Sequence, residues 1–403
     1  MLHRLRESLM MTLYTPWAAA LLLALGLLWL ELPCFAAADQ SWHPSSARTA
    51  TLDGLRGLLA SGVFLHHATL YALYLTQQRW QTPPSFFYTQ LGQASVILFF
   101  MITGFLFWDK ALACAGRLSW PALWWNRYFR IAPLYYLAVA LMLLVVAIRT
   151  GFIVHVSLTQ LLKELAPLLL AGYQGLPASI NSYPRPGLIL AGVTWTLHYE
   201  WIFYLFFLPV ASFFARRQSW QRLLVGVGTL SSFIIMARHP GIPRFGMAAF
   251  FAGMLCASLQ RESWGAQLRL LRRRYPVQSS ALLLILAVLL MSYPGAYATR
   301  PMLLLGLSFF MISSGTDLFG VLLWRPTRRL GELSYGIYIL QGPVLYGVFA
   351  LAPLRHLALR GAWPYWLVLA LAYLLLLSLA WLAHQTIELP GIRLGRKTQP
   401  WSR

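Results

Sequence analysis

Eleven stretches of the chain are apolar over lengths near the roughly 20 residues that a membrane-spanning helix needs. They occupy 12–36, 54–75, 86–108, 130–148, 188–212, 220–236, 244–259, 277–292, 302–323, 333–353 and 364–384. A helix satisfies its backbone polar groups within one segment, as lipid requires. The runs therefore predict an all-α, polytopic membrane helical bundle, with a ten-helix core after one extra N-terminal hydrophobic helix. A twelfth stretch, 157–172, carries Lys163 and Glu164 and is predicted to be an interfacial or re-entrant helix.

Composition excludes most other classes of protein. Hydrophobic residues are 59% of the 403 residues and charged residues only 11%, whereas soluble domains carry about 25% charged residues. A disordered chain needs low hydrophobicity, so that class is excluded as well. We divide the chain into a hydrophobic helix with its linker at 1–50, a membrane core at 51–392 and a short basic tail at 393–403.

Lysine and arginine outnumber the acidic residues by 32 to 11, which gives a formal net charge of +21. They lie in short gaps between apolar runs, as in cytoplasmic loops that face anionic lipid or bind an anionic ligand, so no nucleic-acid partner is predicted. With the core starting on the cytoplasmic side, 19 basic residues fall in its inner region and 9 in its outer loops. The run 12–36 is either an extra span or surface-lying helix, which we favour, or a signal peptide; its side is left open.

Ionisable residues within the runs point to a candidate site, because a charge in hydrocarbon costs several kcal/mol unless it is paired. Arg56 lies near the start of the first core helix, and His67 lies eleven residues later. That separation is three helical turns, so the two share nearly one helix face about 16 Å apart. An imidazole near mid-membrane suits proton transfer, and its alternative role is that of a hydrogen-bonded packing residue.

Glu200 lies in the middle of the run 188–212, with apolar or aromatic neighbours on both sides. An unpaired carboxylate is costly there, so Glu200 needs a cation, a proton or a hydrogen-bonding network. Arg56, His66 and His67 are the available partners. The carboxylate serves either as a structural ion pair between helices or as a direct part of the chemistry.

Arg127 and Arg130 are three residues apart and share one face at the start of a span. Pro133 is predicted to lie in the first turn of that span, where its missing N–H is tolerated. Paired arginines at a cytoplasmic helix start make a good clamp for phosphate. Their alternative role is ordinary anchoring at the cytoplasmic membrane surface.

Seven short motifs along the core resemble acyltransferase family 3, the integral-membrane acyltransferases of bacteria and some animals. They are, in chain order, Asp53-Gly-Leu-Arg56-Gly with His67, Gly92 through Phe105, Arg127-x-x-Arg130-Ile-x-Pro133, Trp195-Thr-Leu-His-Tyr-Glu200-x-x-Phe203-Tyr204, Arg244-Phe245 with Phe251-x-Gly253, Leu330-Gly331-Glu-Leu-Ser334-Tyr335-Gly-Ile-Tyr338, and Glu388-Leu-Pro390. The register of the first motif assigns the family's histidine to His67 rather than His66. One position departs from the family: Gln341 stands where a second histidine is common, and it cannot shuttle protons near neutral pH.

The resemblance implies transfer of an acyl group, most often acetyl from acetyl-CoA, to a sugar hydroxyl at or beyond the membrane. The implied catalytic residues are His67, Glu200 and Arg56, with Glu200 orienting one of the other two. His67 acts either as general base on the acceptor or as carrier of the acyl group. The implied substrate-binding residues are Arg127 and Arg130 for the acyl-CoA phosphates, Trp195, Tyr199 and Tyr204 for a sugar, and Ser334, Tyr335 and Gln341. The three aromatic residues for a sugar have helix packing as their alternative role.

The implied partners are acyl-CoA, a glycan or polysaccharide acceptor, and the lipid bilayer of a bacterial inner membrane. No bound cofactor and no metal site are predicted, and the acceptor, the acyl chain and the oligomeric state stay open. Two other function classes also fit an intramembrane His67 and Glu200. One is a proton-coupled transporter or flippase of a lipid-linked glycan, and the other is a non-catalytic scaffold of a polysaccharide-export complex.

Overall fold

The computed structural model describes residues 13–37, 47–262 and 275–399. The α-helices of its first half are α1 (Pro16–Glu31), α2 (Ala47–Gln77), α3 (Phe86–Ala113), α4 (Trp120–Arg149), α5 (Leu158–Leu165), α6 (Trp195–Ile202), α7 (Leu208–Phe214) and α8 (Gln218–Arg238). Those of its second half are α9 (Ile242–Arg261), α10 (Tyr275–Ser292), α11 (Thr299–Ser313), α12 (Arg325–Glu332), α13 (Ser334–Ala350), α14 (Ala352–Ala358), α15 (Ala362–Ala383) and α16 (Leu389–Lys397). Two short strands, β1 (Ser179–Ile180) and β2 (Tyr183–Pro184), pair antiparallel between α5 and α6.

Among the described residues, seven helical segments are long and apolar enough to cross a membrane. They are α2, α3, α4, α6 continued into α7, α8, α9, and α15 continued into α16. The broken pair α12 and α13 gives an eighth candidate, and α1, α10 and α11 are shorter apolar helices. Every one of the eleven predicted runs falls on one of these segments, which confirms the all-α polytopic membrane bundle.

In two of the predicted runs, the helix is shorter than the apolar stretch because residues with left-handed backbone angles interrupt it. α11 is shorter than its run because the chain turns after it through Gly315 and Gly320, which have φ values of +111° and +86°. α6 begins only at Trp195, because Ala191 and Gly192 before it also have positive φ. A helix requires negative φ at each residue, so the apolar stretch continues in both places while the helix does not.

The helices form two compact units. The first runs up to Leu118 and resumes at Leu208–Ser334, so it contains α1–α3 and α7–α12. The second comprises Ser119–Phe207 and the chain from Tyr335 on, and it contains α4–α6 and α13–α16. The stretch 51–392, predicted as one core, therefore divides into two units that each use two separate segments. The boundary predicted at residue 393 falls inside α16.

In the first unit, glycines let α3 approach α9 backbone to backbone. A Cβ atom on Gly104 would collide with the carbonyl oxygen of Phe250, and one on Gly253 would collide with that of Met101. Lipid tails are as apolar as leucine, so helices in a bilayer gain little from burying large apolar side chains. They gain from close packing at small residues. The two glycines therefore fix the crossing of α3 and α9.

α1 is fastened to the first unit at both ends. At its C-terminal end, the buried Arg329 of α12 donates hydrogen bonds to the backbone oxygens of Leu30 and Leu32. These carbonyls belong to the last turn and its edge, where a helix leaves oxygens without internal partners. At the other end, the Tyr88 hydroxyl of α3 donates to the backbone oxygen of Thr15 at 3.0 Å. This packing favours the extra-helix interpretation of the first apolar run.

In the second unit, the loop between α4 and α6 is organised around one buried carboxylate. Glu164 is 7% exposed and accepts hydrogen bonds from the backbone N–H of Asn181 at 2.8 Å and the side-chain amide of Gln160 at 3.0 Å. Asn181 in turn donates to the backbone oxygen of Ile153 at 2.7 Å. α5 has eight residues and continues into a 3-10 turn at Ala166–Leu170, so it is too short to span. The structure has a short helix at the predicted stretch, and its interfacial or re-entrant placement stays a prediction.

Replacing Gly253 by valine is expected to destabilise the first unit, because the added side chain must push α9 away from α3. Overpacking of this kind costs about 1–3 kcal/mol. The measurement is the thermal unfolding of the purified protein in detergent, followed by intrinsic fluorescence. Gly226→Val on α8 is the matched control, since nothing lies within 4 Å of a Cβ atom there. Equal loss of stability in the two variants would contradict the close crossing of α3 and α9.

Candidate active site

His66 and His67 are neighbours on α2 of the first unit, but their surroundings differ. His66 is 9% exposed, and its Nδ1 lies 2.8 Å from the backbone oxygen of Tyr88. Its ring also lies so close to Gly92 that a Cβ atom there would collide with it. His67 is half-buried, and its Nδ1 lies 3.0 Å from the backbone oxygen of Val63, one turn earlier. His66 is thus held as a packing residue, as the register of the first motif suggests.

The hydrogen bond of His67 fixes which ring nitrogen can act as a base. A carbonyl oxygen only accepts hydrogen bonds, so Nδ1 of the neutral ring carries the hydrogen and Nε2 holds the lone pair. Trp80, in the loop after α2, stacks on the imidazole with centroids 6.1 Å apart and an angle of 21°. Tyr71 and Tyr74 each lie edge-on to Trp80 at 6.0 Å. An aromatic cluster therefore lies beside the His67 ring.

Arg56 lies on the same uninterrupted helix as His67, as their spacing predicts. Its guanidinium lies 3.8 Å from the carboxylate of Asp53, one turn earlier, and both side chains are partly exposed. An exposed pair of this kind contributes about 0–1 kcal/mol. The pairing of Glu200 with Arg56 or His67 stays a prediction.

In the second unit, α4 begins at Trp120, so its predicted start at residue 130 is wrong. Pro133 therefore lies in the interior of α4 and not in its first turn. A proline there removes the N–H that the oxygen of Phe129 would accept. Gly391 of α16 fills the space beside this gap, since a Cβ atom on it would lie 3.0 Å from that oxygen. The helix continues through the proline because the arginine-bearing turns of α4 pack against α16.

Arg130 faces a buried carboxylate of the C-terminal motif. Its Nη2 lies 3.9 Å from Oε1 of Glu388, whose side chain is 1% exposed, while that of Arg130 is 32% exposed. The other oxygen, Oε2, lies 2.9 Å from Nδ1 of His384, which is 2% exposed. One carboxylate is therefore shared between a histidine and an arginine. Arg127, on the same helix, is half-buried.

The helices that carry Glu200 and Glu388 each run into a π-turn. His384–Glu388 forms the turn between α15 and α16, just before Pro390, and Phe203–Phe207 forms the turn between α6 and α7. Such turns insert one residue into an α-helix and are frequent at functional sites. The turn at 384–388 brings the imidazole and the carboxylate within hydrogen-bonding distance.

Tyr335, at the start of α13, lies among the charged groups of the second unit. Its hydroxyl donates to the backbone oxygen of Ile131 on α4 at 2.7 Å. Glu388, Glu200 and Arg130 lie near enough to interact electrostatically with its phenol group. Three of the seven motifs, and the Tyr335–Tyr338 part of a fourth, therefore lie within one unit.

The three aromatic residues proposed for a sugar differ in exposure. Tyr204 is 2% exposed, and its hydroxyl donates to Oε2 of Glu200 at 2.9 Å. The buried position of Tyr204 favours a role in helix packing and in orienting the Glu200 carboxylate. Trp195 and Tyr199 are half-buried, and their rings meet edge to face at 5.7 Å.

The late-helix residues are buried. Ser334 is 2% exposed and Gln341 is 0% exposed. The side-chain amide of Gln341 donates to the backbone oxygen of Tyr338 at 2.8 Å. The Tyr338 hydroxyl lies 2.9 Å from that of Thr196 and so ties α13 to α6. These contacts suit Gln341 to positioning.

Two side chains of the site were missed by the sequence analysis. His384 is an ionisable residue in an apolar run, four residues before Glu388, and this spacing alone was enough to indicate the pair. Trp80 lies in a polar loop, and no local pattern indicates that this loop folds back onto His67. Within 13–37, 47–262 and 275–399, no group of three or more His, Cys, Asp or Glu side chains could hold a metal ion.

Comparison with known protein families gives a match over most of the chain. A family model described as an acyltransferase domain matches residues 49–385. No curated protein and no solved structure matches the chain. The matched range includes His67, Arg130, Glu200 and Tyr335.

Replacing Tyr335 by phenylalanine is expected to destabilise the second unit, because the Ile131 carbonyl loses a donor inside the bundle. Loss of a buried hydrogen bond costs about 1–3 kcal/mol. The measurement is again thermal unfolding in detergent. Tyr346→Phe is the matched control, since its hydroxyl accepts an exposed hydrogen bond from Arg149. The central position of Tyr335 would be contradicted if the control lost as much stability.

Proposed function

This chain belongs to the acyltransferase family whose domain matches residues 49–385, and on that premise we propose the substrates of its reaction. The chain is a multi-pass membrane acyltransferase. Its donor is cytoplasmic acyl-CoA with acetyl as the acyl group. Its acceptor is a sugar hydroxyl of a cell-surface or exported polysaccharide, and its membrane is the bacterial inner membrane.

The observation that carries this proposal is the state of His67. Its Nδ1 is occupied by the Val63 oxygen of its own helix, so the basic lone pair belongs to Nε2. Trp80 lies nearly parallel to the imidazole, with ring centroids 6.1 Å apart. A histidine held in one tautomer and one orientation is what proton removal from an attacking hydroxyl requires.

In the reaction, Nε2 of His67 accepts the proton of the acceptor hydroxyl while that oxygen attacks the thioester carbonyl carbon. The C–S bond breaks, CoA leaves as the thiolate and takes the proton from the imidazolium, and the product is an ester. In the alternative route, Nε2 attacks the thioester carbonyl carbon, the C–S bond breaks and CoA leaves as the thiolate. The acceptor oxygen then attacks the acyl-imidazole, the neutral imidazole leaves, and the hydroxyl proton passes to the thiolate. Both routes need the same neutral tautomer.

Arg130 and Arg127 are the proposed binding site for the phosphates of the donor. Arg130 is partly exposed, and it makes no hydrogen bond to any residue that the structure describes. Its five N–H donors are therefore left for an anion, and a phosphate takes two of them at once. The positive-inside pattern predicts that this part of α4 lies near the cytoplasmic side, where acyl-CoA is found.

Glu200 is the proposed orienting carboxylate of the second unit. Tyr204 holds its Oε2 atom at 2.9 Å. Arg130 and Glu200 both interact electrostatically with the phenol group of Tyr335. A fixed negative charge here limits the positions that the donor-binding guanidinium can take.

Replacing His67 by alanine is expected to abolish acyl transfer and leave folding and membrane insertion intact. Removal of a general base or a nucleophile costs at least about 100-fold in rate. The measurement is release of free CoA from acetyl-CoA by purified protein in nanodiscs, with candidate glycans added. Full activity of His67→Ala would contradict the catalytic assignment.

His66→Ala is the matched control for His67→Ala. Its activity per folded molecule is expected to be retained, although its stability falls because Tyr88 loses a hydrogen-bond partner. If wild-type protein neither binds nor turns over acyl-CoA under any condition, the donor assignment fails. Another acyl donor then becomes the leading interpretation, followed by a proton-coupled transporter, which predicts dependence on a proton gradient.

Replacing Arg130 by alanine is expected to raise the KM for acetyl-CoA with a smaller effect on kcat. Loss of one charge-assisted interaction with phosphate weakens binding about tenfold. Steady-state kinetics at saturating acceptor separate the two constants. Arg360→Ala, at an exposed position of the same unit, is the control. An unchanged KM would show that the phosphates bind elsewhere.

A further inference from the structure

The carboxylate of Glu388 lies nearer to His384 than to Arg130. The distance from Oε2 to Nδ1 of His384 is 2.9 Å, and that from Oε1 to Nη2 of Arg130 is 3.9 Å. We propose that His384 is a positioning residue that holds Glu388 away from Arg130 and so keeps the guanidinium available to the donor phosphate. The proposal rests on the proposed function, in which Arg130 binds acyl-CoA.

Two other arginine–carboxylate pairs in the chain are joined by hydrogen bonds, unlike the pair of Arg130 and Glu388. Arg222 and Glu262 form two hydrogen bonds of 2.9 and 2.6 Å, and Arg261 reaches Asp109 at 2.7 Å. These guanidinium groups are occupied by their carboxylates. Arg130 has a carboxylate in reach, yet it forms no hydrogen bond with any described residue.

Burial strengthens the electrostatic attraction between the Glu388 carboxylate and the Arg130 guanidinium. Glu388 and His384 are 1% and 2% exposed, so water contributes little to their solvation. Attraction between a carboxylate and a guanidinium is several times stronger in such surroundings than in water. Without another partner, the carboxylate would close onto Arg130 in a bidentate pair. The Nδ1 donor of His384 supplies that partner.

The backbone around the pair is fixed, so the movable element is the Glu388 side chain. Gly391 and Gly395 bring α16 against α4, where the nearest side-chain atoms are those of Pro133 and Phe129. Trp125 of α4 donates to the backbone oxygen of Gly395 at 3.1 Å. α4 and α16 therefore cannot separate to relieve a tighter ion pair.

His384 itself has an unusual feature that agrees with a dedicated role. Its second nitrogen, Nε2, is buried and has no hydrogen-bond partner within the described part of the chain. A polar atom left in this state costs about 1–3 kcal/mol. A leucine would pack without that cost. The presence of a histidine at this position is therefore explained by the hydrogen bond that its Nδ1 donates to Glu388.

The test measures binding of acetyl-CoA to full-length protein in nanodiscs by titration calorimetry. A second probe, 3′,5′-adenosine bisphosphate, carries phosphates without the acyl arm. His384→Ala is expected to raise the Kd of both probes about tenfold, because Glu388 then pairs with Arg130. His384→Gln keeps an N–H donor for Glu388, and its Kd is expected to stay within about threefold of wild type.

The double variant distinguishes positioning from a merely structural role. Glu388→Gln removes the negative charge that would occupy Arg130. The variant His384→Ala/Glu388→Gln is therefore expected to bind both probes within about threefold of wild type, a coupling that independent losses of stability would not produce. In the Arg130→Ala background, His384→Ala is expected to have no further effect on binding.

Controls separate failure of this proposal from failure of the proposed function. His356→Ala, at an exposed position of the same unit, is the matched control. If His384→Ala fails to fold, His384→Leu fills the site without a donor and is expected to show the same weakened binding. Wild-type affinity in a folded variant lacking the donor, or a double variant weaker than the single one, overturns the role of His384. Absence of binding by the wild type overturns the donor assignment itself.

Discussion

The cost of placing charge in a poorly solvated bundle governs where this chain puts its carboxylates. Only 11 acidic residues occur in 403, and those discussed above each have a named donor. In the first unit, Asp53, Asp109 and Glu262 lie beside arginines. In the second, Glu164, Glu200 and Glu388 accept from the side chains of Gln160, Tyr204 and His384. The carboxylates of the first unit lie beside arginines, whereas those of the second accept hydrogen bonds from neighbouring side chains, and Glu388 also lies 3.9 Å from Arg130.

Helix positions follow from a second constraint, the lack of hydrophobic driving force between helices in lipid. Glycines supply the close crossings, and two of them lie beside residues of the candidate site. Gly92 lies against His66 and sets the rotation of α2 that presents His67. Gly391 lies beside the oxygen that Pro133 leaves unpaired, and so it fixes Arg130 opposite Glu388. Packing and the site are therefore specified by the same few small residues.

Much of the fold could be predicted from the sequence, because hydropathy reports directly on spans. All eleven runs fall on helices, and the two histidines that the early motif distinguishes have different surroundings in the structure. Breaks inside apolar stretches were missed, since left-handed residues such as Ala191 and Gly315 are as apolar as their neighbours. The division into two units was missed because its boundaries, near Phe207 and Tyr335, carry no change in composition.

Local pattern also limits what can be predicted about the site. The start of α4 was placed ten residues late, because Trp120 and the residues that follow are aromatic and polar rather than aliphatic. The contact of Trp80 with His67 depends on the path of a loop that no periodicity describes. The His384–Glu388 pair was accessible in principle from its spacing, but its relation to Arg130 depends on the approach of two distant segments.

The π-turn before α16 also restricts how the chain length can change. The turn accommodates one extra residue and keeps the helix register, whereas loss of one residue between Glu388 and Gly391 would rotate everything after it by about 100°. Gly391 and Gly395 would then turn away from α4, and bulkier residues would take their place. The C-terminal helix, which resembles a basic tail in sequence, is therefore the part of the second unit that tolerates insertion or deletion least. Variation among its relatives is expected there as substitution, with the number of residues kept constant.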